Sequence, residues 1–252
     1  MRRAHEQIVV GQAVGDAVAM TAERVVAVLG GNGRSRSVAL AGGSTPKALY
    51  RLLASPAYRD RVDWKRVHWF WGDERCVPPD HADSNYRMAM AAMLEPLGIG
   101  SEMIHRMPAD ADDLESAAET HAETIREHVA ADSSGVPVFD VVLLGMGPDG
   151  HTASLFPGSA GLEETEKLVV AHHVPSQDTN RMTMTYPLIR NARDIVFLVT
   201  GANKAETLAE ILSPENKSTL PSAALRPSRE HAAKHRLTWV LDSDAAALLQ
   251  KS

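Results

Sequence analysis

The chain has 252 residues, one cysteine (Cys76), 11 histidines and a formal net charge of −6. A chain of this length buries roughly three-quarters of its unfolded surface, and one cysteine excludes an intramolecular disulfide. The negative charge argues against a nucleic-acid partner, and no stretch approaches the ~20 apolar residues of a membrane-spanning helix. Polar residues interrupt the first ten positions, MRRAHEQIVV, which are therefore not expected to form a signal peptide. We expect a cytoplasmic protein.

Short apolar runs alternate with segments of helical periodicity. The runs, which predict strands, are residues 38–41, 67–71, 141–144, 168–171, 195–200 and 238–241. Apolar spacing of three and four predicts helices over 46–53, 85–94, 114–130, 204–212 and, more briefly, 245–249, with loops over 132–137 and 213–221. Strands that are apolar throughout are covered on both faces. The pattern predicts an α/β fold in a single domain over residues 1–252, with a mostly parallel, Rossmann-like sheet flanked by helices on both faces.

The segments that follow the first two strands offer anion-binding groups, and ligands of open α/β sheets bind at that end. After the first strand comes AGGSTP, in which Gly43, Ser44 and Thr45 lead into a helix. Free amides and hydroxyls at a helix N-terminus suit phosphate, although an ordinary capped turn explains them equally well. After the second strand comes GDER, in which Arg75 could pair with phosphate. For Asp73 and Arg75 taken alone, a local ion-pair cluster is the favoured explanation.

The third strand runs into a glycine-rich turn, VVLLGMGPDGHT. Its glycine spacing resembles a dinucleotide fingerprint, but no acidic residue follows at the ribose-binding position. His151 has an imidazole that can take a proton from water near neutral pH. Asp149 could orient that imidazole or hold the substrate. A lone histidine is usually structural, but this one gains significance from its place at the carboxyl end of a strand.

Two later segments supply cations. Arg181 opens RMTMT, in which polar and apolar residues alternate, and Lys204 begins a helix after the strand at 195–200. A lysine in the first turn opposes the helix dipole, which favours a shared anionic ligand. A flexible surface lysine is the alternative.

A metal site and a nucleophilic side chain are not expected. Two histidine pairs, His121 with His128 and His231 with His235, lack a third ligand at metal-site spacing and are interpreted as solvated helix faces. The adjacent pair His172 and His173 has no further ligand nearby in the sequence either. Cys76 has no neighbouring base, and Ser154 does not lie in a GxSxG elbow.

Together these segments resemble the 6-phosphogluconolactonase family. The matching motifs are AGGSTP (41–46), WGDER (71–75), GMGPDGHTASLFP (145–157), RMTMTYPLIRNAR (181–193), VTGANKAETL (199–208) and TWVLDSDAA (238–246). They occur in the family's order from about residue 40 onwards. DGHTASLFP is highly specific, whereas the STP and GDER motifs are less so. Ala41 stands where many members have serine.

The resemblance implies a fold of the sugar-phosphate isomerase and deaminase type. It implies hydrolysis of 6-phospho-D-glucono-1,5-lactone to 6-phosphogluconate in the oxidative pentose phosphate pathway, without a metal or organic cofactor. His151 would be the general base and Asp149 its neighbour in the catalytic turn. The phosphorylated lactone would contact the groups already chosen as anion-binding, with Asp73 beside them; these are Gly43, Ser44, Thr45, Arg75, Arg181 and Lys204. The expected assembly is a monomer or weak homodimer.

Three alternatives remain open. Sugar-phosphate deaminases of the sister family share the GxGxDGH element, but they carry an acidic residue five positions after the histidine, where this chain has Phe156. A non-catalytic sugar-phosphate-binding regulator on the same fold would dispense with His151. An isomerase is supported by the fold alone.

Overall fold

The computed structural model describes residues 6–30, 35–215, 217–227 and 236–249. Its strands are β1 (Glu6–Val10), β2 (Arg36–Leu40), β3 (Val67–Trp71), β4 (Asp73–Arg75), β5 (Val141–Leu144), β6 (Val169–Val174), β7 (Thr179–Met184), β8 (Asp194–Val199) and β9 (Arg236–Leu241). Six of them form a parallel sheet in the order β1-β9-β8-β5-β2-β3. The chain reverses its direction of winding around β2 and β5, and such a point of an open sheet is where ligands bind.

Helices cover both faces of the parallel sheet. They are α1 (Val14–Leu29), α2 (Ser44–Leu53), α3 (Asn85–Ala89), α4 (Leu114–His128), α5 (Tyr186–Arg190) and α6 (Ala205–Ile211), and a π-helical turn, Met90–Leu94, continues α3. Each face of the parallel sheet has its own hydrophobic core, and successive residues of a strand pack into the two cores in turn. Val141 and Leu143 pack with α1 and α2, whereas Val142 and Leu144 pack with α4, α5 and α6. Burial on both faces explains why β5 is apolar at every position.

The other three strands form a small antiparallel sheet in the order β4-β7-β6. Val169, Met182 and Met184 of this sheet share a core with Val142 of the parallel sheet. The two sheets therefore belong to one α/β domain, as predicted. The limits 1–252 stay a prediction, since both termini lie outside the described residues.

The structure corrects several predicted elements. The strand predicted at 168–171 exists as β6, but it belongs to the antiparallel sheet. The helix predicted over 46–53 is α2, which begins at Ser44, so Pro46 is its third residue. Lys204 ends a 3₁₀ turn directly before α6. Residues 245–249 form turns and no helix. The prediction missed β1, α1, β4, β7 and α5. Among the described residues, no helix is long and apolar enough to cross a membrane.

Candidate active site

A cavity of about 570 Å³ opens at the carboxyl ends of β2, β3, β5 and β8. Its lining includes every binding residue predicted from the sequence, namely Gly43, Ser44, Thr45, Asp73, Arg75, Arg181 and Lys204, together with His151. Asp149 is exposed and does not line the cavity itself. The loops that follow strands of a parallel sheet converge at one edge, and this brings together residues as far apart in sequence as 43 and 204.

The turn after β5 is held by its own backbone. Gly147 N–H donates to the His151 carbonyl at 2.9 Å, and Gly150 N–H donates to the Gly147 carbonyl at 3.1 Å. Gly150 has φ +77°, a conformation that favours glycine. Ser222 fixes the same point from outside, because its hydroxyl donates to the Gly150 carbonyl at 2.8 Å. The amides of Gly147 and Gly150 are therefore occupied within the fold and are not free to bind a substrate oxygen.

This turn brings His151 and Asp149 into contact. His151 Nδ1 lies 2.6 Å from Asp149 Oδ1, so Nδ1–H donates to the carboxylate and Nε2 keeps its lone pair. No hydrogen bond joins Nε2 to any residue that the structure describes. Phe156 stacks on the imidazole with 3.9 Å between ring centroids and an interplanar angle of 22°. The ring is thus oriented by a carboxylate at its edge and an aromatic side chain on its face.

Gly147 is required beneath this pair. A Cβ at this position would lie 2.1 Å from His151 Nδ1 and 2.5 Å from Asp149 Oδ1, whereas a Cβ at Gly145 would meet nothing within 4 Å. Gly145 and Gly147 therefore differ, because the absence of a side chain is needed at Gly147 alone of these two to leave room for His151 and Asp149.

The N-terminus of α2 offers backbone donors to the same cavity. In the described part of the chain, nothing accepts a hydrogen bond from the amides of Ser44 or Thr45. Gly43, which precedes them, has φ +105°. The Thr45 hydroxyl lies 2.9 Å from that of Thr200, which follows β8. Amides at the positive end of a helix dipole bind anions.

Three cations surround this wall without carboxylate partners. Within the described ranges, no salt bridge engages Arg75, Arg181 or Lys204. Burial and the neighbouring Arg75 lower the pKa of Arg181, and burial lowers the pKa of Lys204 despite the attraction of Asp149. Both shifts mean that positive charge is held here at a cost that a bound anion would remove.

The carboxylates of the GDER segment have structural contacts, so the ion-pair cluster considered for this segment is wrong. Glu74 accepts from the amides of Asn85 and Tyr86 at 2.8 and 2.7 Å and so caps α3, and burial raises its pKa. Asp73 accepts from the Ser154 hydroxyl at 2.7 Å. Asp73 is thus fixed in the cavity wall but does not contact His151.

Sequence reasoning missed Ser154 and Asn85 as parts of the site. Ser154 holds Asp73, and Asn85 Nδ2 donates to the Asp73 carbonyl at 3.0 Å. Both residues line the cavity. Ser154 lies within DGHTASLFP, the most specific of the family motifs. Its membership of that motif could have marked it as a residue of the site. Nothing local marks Asn85.

The predicted histidine pairs also need correction. His121 is only 3% exposed and is not solvated. His172 Nε2 is bound to the Ser154 carbonyl at 2.8 Å, so this ring supports the cavity wall. His231 and His235 lie outside the described residues.

Comparison with known proteins places the chain in a family. Residues 9–239 match the family described as glucosamine-6-phosphate isomerases/6-phosphogluconolactonase. A 6-phosphogluconolactonase of Synechocystis is 41% identical over 215 residues, which are 85% of each chain. That of Treponema pallidum is 42% identical over 76% of this chain and 78% of its own. The solved 6-phosphogluconolactonase from Trypanosoma cruzi has a TM-score of 0.84 at 29% identity, and covers 99% of this chain and 98% of that one. This chain therefore belongs to the glucosamine-6-phosphate isomerase/6-phosphogluconolactonase family.

Proposed function

We propose that this protein hydrolyses 6-phospho-D-glucono-1,5-lactone to 6-phospho-D-gluconate, a step of the oxidative pentose phosphate pathway. The observation that carries the proposal is the paired imidazole of His151, which lies in a cavity with three unpaired cations. The similar proteins named 6-phosphogluconolactonase support the substrate class. Hydrolysis of an ester ring at neutral pH requires a base for water and a means of orienting the ring.

His151 acts as the general base in this proposal. Its Nε2 takes a proton from water as the water oxygen attacks the lactone carbonyl carbon. The bond between that carbon and the ring oxygen then breaks, and the ring oxygen receives the proton from Nε2. Asp149 stabilises the imidazolium that forms between the two steps, through its contact of 2.6 Å with Nδ1. General-base assistance of this kind is typically worth ~10²–10⁴-fold in rate.

The phosphate group lies with the amides of Ser44 and Thr45 and the side chains of Arg75, Arg181 and Lys204, which line the same cavity as His151. A dianion there is neutralised by three cations that have no carboxylate partner among the salt bridges of the described residues. Holding the phosphate contributes to the rate by orienting the lactone. Asp73, held by Ser154, shapes the wall between the phosphate and the base.

The test is formation of 6-phosphogluconate from freshly generated lactone at neutral pH, beside an enzyme-free blank because this lactone opens on its own. The wild type should exceed the blank strongly. His151→Ala should lose most turnover with little change in phosphate affinity, whereas the control His173→Ala, an exposed histidine of β6, should keep it. A wild-type rate equal to the blank would contradict the proposal, and a fully active His151→Ala would remove this residue from the mechanism.

Glucosamine-6-phosphate belongs in the same experiment as a competing substrate. Phe156 covers one face of His151 at the position where the deaminases carry an acid, so we expect no ammonia release. The cytoplasmic location and the monomeric or weakly dimeric state remain predictions, which fractionation and light scattering can address.

A further inference from the structure

Three histidines that the proposed reaction does not use meet at one edge of the parallel sheet. His68 lies on the edge strand β3, His105 follows the residue that bridges to β3, and His128 ends α4. One ring nitrogen of each lies within 4.8 Å of the others. None of the three lines the cavity, and His68 precedes by three residues the end of β3 at which the cavity opens.

The three rings already share hydrogen bonds that an ion would have to replace in part. His68 Nδ1 and His105 Nε2 are 2.9 Å apart, so one of the two nitrogens donates N–H to the lone pair of the other, and both become ligands once the donor ring moves that proton to its other nitrogen. His128 Nδ1 lies 3.0 Å from the Thr124 carbonyl, to which Nδ1–H donates, and Nε2 keeps its lone pair. A ligating histidine in metalloproteins usually has this arrangement, with its other N–H on a carbonyl or carboxylate.

The spacing of the nitrogens suits a small divalent cation. Nitrogen ligands at ~2.0–2.1 Å from a tetrahedral Zn²⁺ lie about 3.4 Å from one another. This is longer than the 2.9 Å between His68 Nδ1 and His105 Nε2 and within the limit of 4.8 Å that encloses the three nitrogens. Phe70 stacks on His105 at 4.5 Å and fixes that ring, whereas His128 is exposed and can turn towards an ion.

His128 is the last residue of α4, and the C-terminal end of a helix favours a cation.

We propose that His68, His105 and His128 bind one divalent transition-metal ion of the Zn²⁺ class, which ties the end of α4 to the edge of the sheet. The sequence-based expectation of no metal site did not consider His68 and His105 together with His128. With His128 exposed, a fourth position is open to water. The imidazole ligands suit Zn²⁺, Co²⁺, Ni²⁺ and Cu²⁺ and disfavour Mg²⁺ and Ca²⁺.

Metal binding is tested on the full chain after treatment with a chelator. Titration with Zn²⁺ should show one site, and Co²⁺ should give the visible absorption bands of a four-coordinate ion. His128→Ala should weaken Zn²⁺ binding at least ~100-fold and abolish the Co²⁺ bands. The control His81→Ala, an exposed histidine beside Asp83, and the active-site variant His151→Ala should retain both signals.

Thermal unfolding gives a second measurement. Zn²⁺ at ~100 times its Kd should raise the Tm of the wild type by about 5 °C and leave that of His128→Ala unchanged. His128 is exposed at a helix end, so the variant should fold, which circular dichroism checks; His128→Gln replaces it if it does not. The proposal is overturned if the wild type binds no Zn²⁺, if the His128 variants bind it as the wild type does, or if His151→Ala alone abolishes binding.

Discussion

Gly147→Ala tests whether the geometry of the His151–Asp149 pair controls the rate. The added Cβ would lie 2.1 Å from His151 Nδ1, and an ordinary contact requires about 3.4 Å, so the imidazole must move by about 1.3 Å. A misplacement of ~1 Å in a catalytic group can lower the rate ~10²-fold. We therefore expect kcat of Gly147→Ala to fall about 100-fold, with KM little changed because the phosphate-binding wall is untouched.

The matched control is Gly145→Ala, two residues earlier in the same turn. A Cβ there meets nothing within 4 Å, and neither glycine has a positive φ. Both variants therefore introduce the same methyl group into a backbone that accepts it. Gly145→Ala should keep kcat within about twofold of the wild type.

The assay is steady-state formation of 6-phosphogluconate, corrected for spontaneous opening of the lactone. Circular dichroism and Tm must show that both variants fold. If folded Gly147→Ala retains the wild-type kcat, the orientation of His151 by Asp149 does not limit the reaction, and the reasoning is refuted. An equal loss in both variants would refute it too, because the effect would then belong to the turn.

Three further predictions concern separate parts of the molecule. Asp149→Asn should lower kcat about 10- to 30-fold, because a charge-assisted hydrogen bond in a partly exposed pair is worth roughly 1.5–2 kcal/mol; an unchanged kcat would exclude this role. Arg181→Ala and Lys204→Ala should each raise KM about tenfold or more with kcat nearly constant, and unchanged KM in both would contradict the phosphate site. The third prediction concerns acid stability. Burial lowers the pKa of His121 to about 3. The imidazole therefore binds a proton at a higher pH in the unfolded chain than in the folded protein, and the free energy of unfolding decreases as the pH falls below ~6.5. His121→Phe should reduce by about 2 kcal/mol the stability lost between pH 7 and pH 5 in urea denaturation, and an equal loss in both proteins would show that another group is responsible.

The central strands of the parallel sheet were predictable because strands buried on both faces consist almost entirely of apolar residues. β5 and β8 are buried at every position, so each appears as an uninterrupted apolar run. The edge strand β1 is only partly buried and lacks that signal. By contrast, the sequence of α1 does contain a helical pattern, which the prediction overlooked. Ala17, Thr21 and Val25 recur at intervals of four and are buried in the structure.

The antiparallel sheet could not be predicted from local patterns. β4 has three residues, all of them charged, and exists because it pairs with β7 across more than a hundred positions. The alternation of polar and apolar residues over Arg181–Thr185 was visible in the sequence, but the strands that pair with this segment were not. The hydrogen bond between Ser154 and Asp73 spans 81 residues, and the three clustered histidines are likewise distant in sequence. Such contacts depend on topology, which spacing along the chain does not reveal.

The position of the antiparallel sheet explains how an acidic protein holds concentrated positive charge. Arg75 and Arg181 face each other in the register of β4 and β7, and like charges directly opposite on a ladder are destabilising. Burial increases that cost, as the lowered pKa of Arg181 reflects. The free protein therefore holds two guanidinium groups whose repulsion Asp73 and Glu74 reduce in part, and an anion between the two groups would reduce it further. In the proposed reaction, the phosphate of the lactone would lie between the two arginines, and its placement there would set the distance from the lactone carbon to His151.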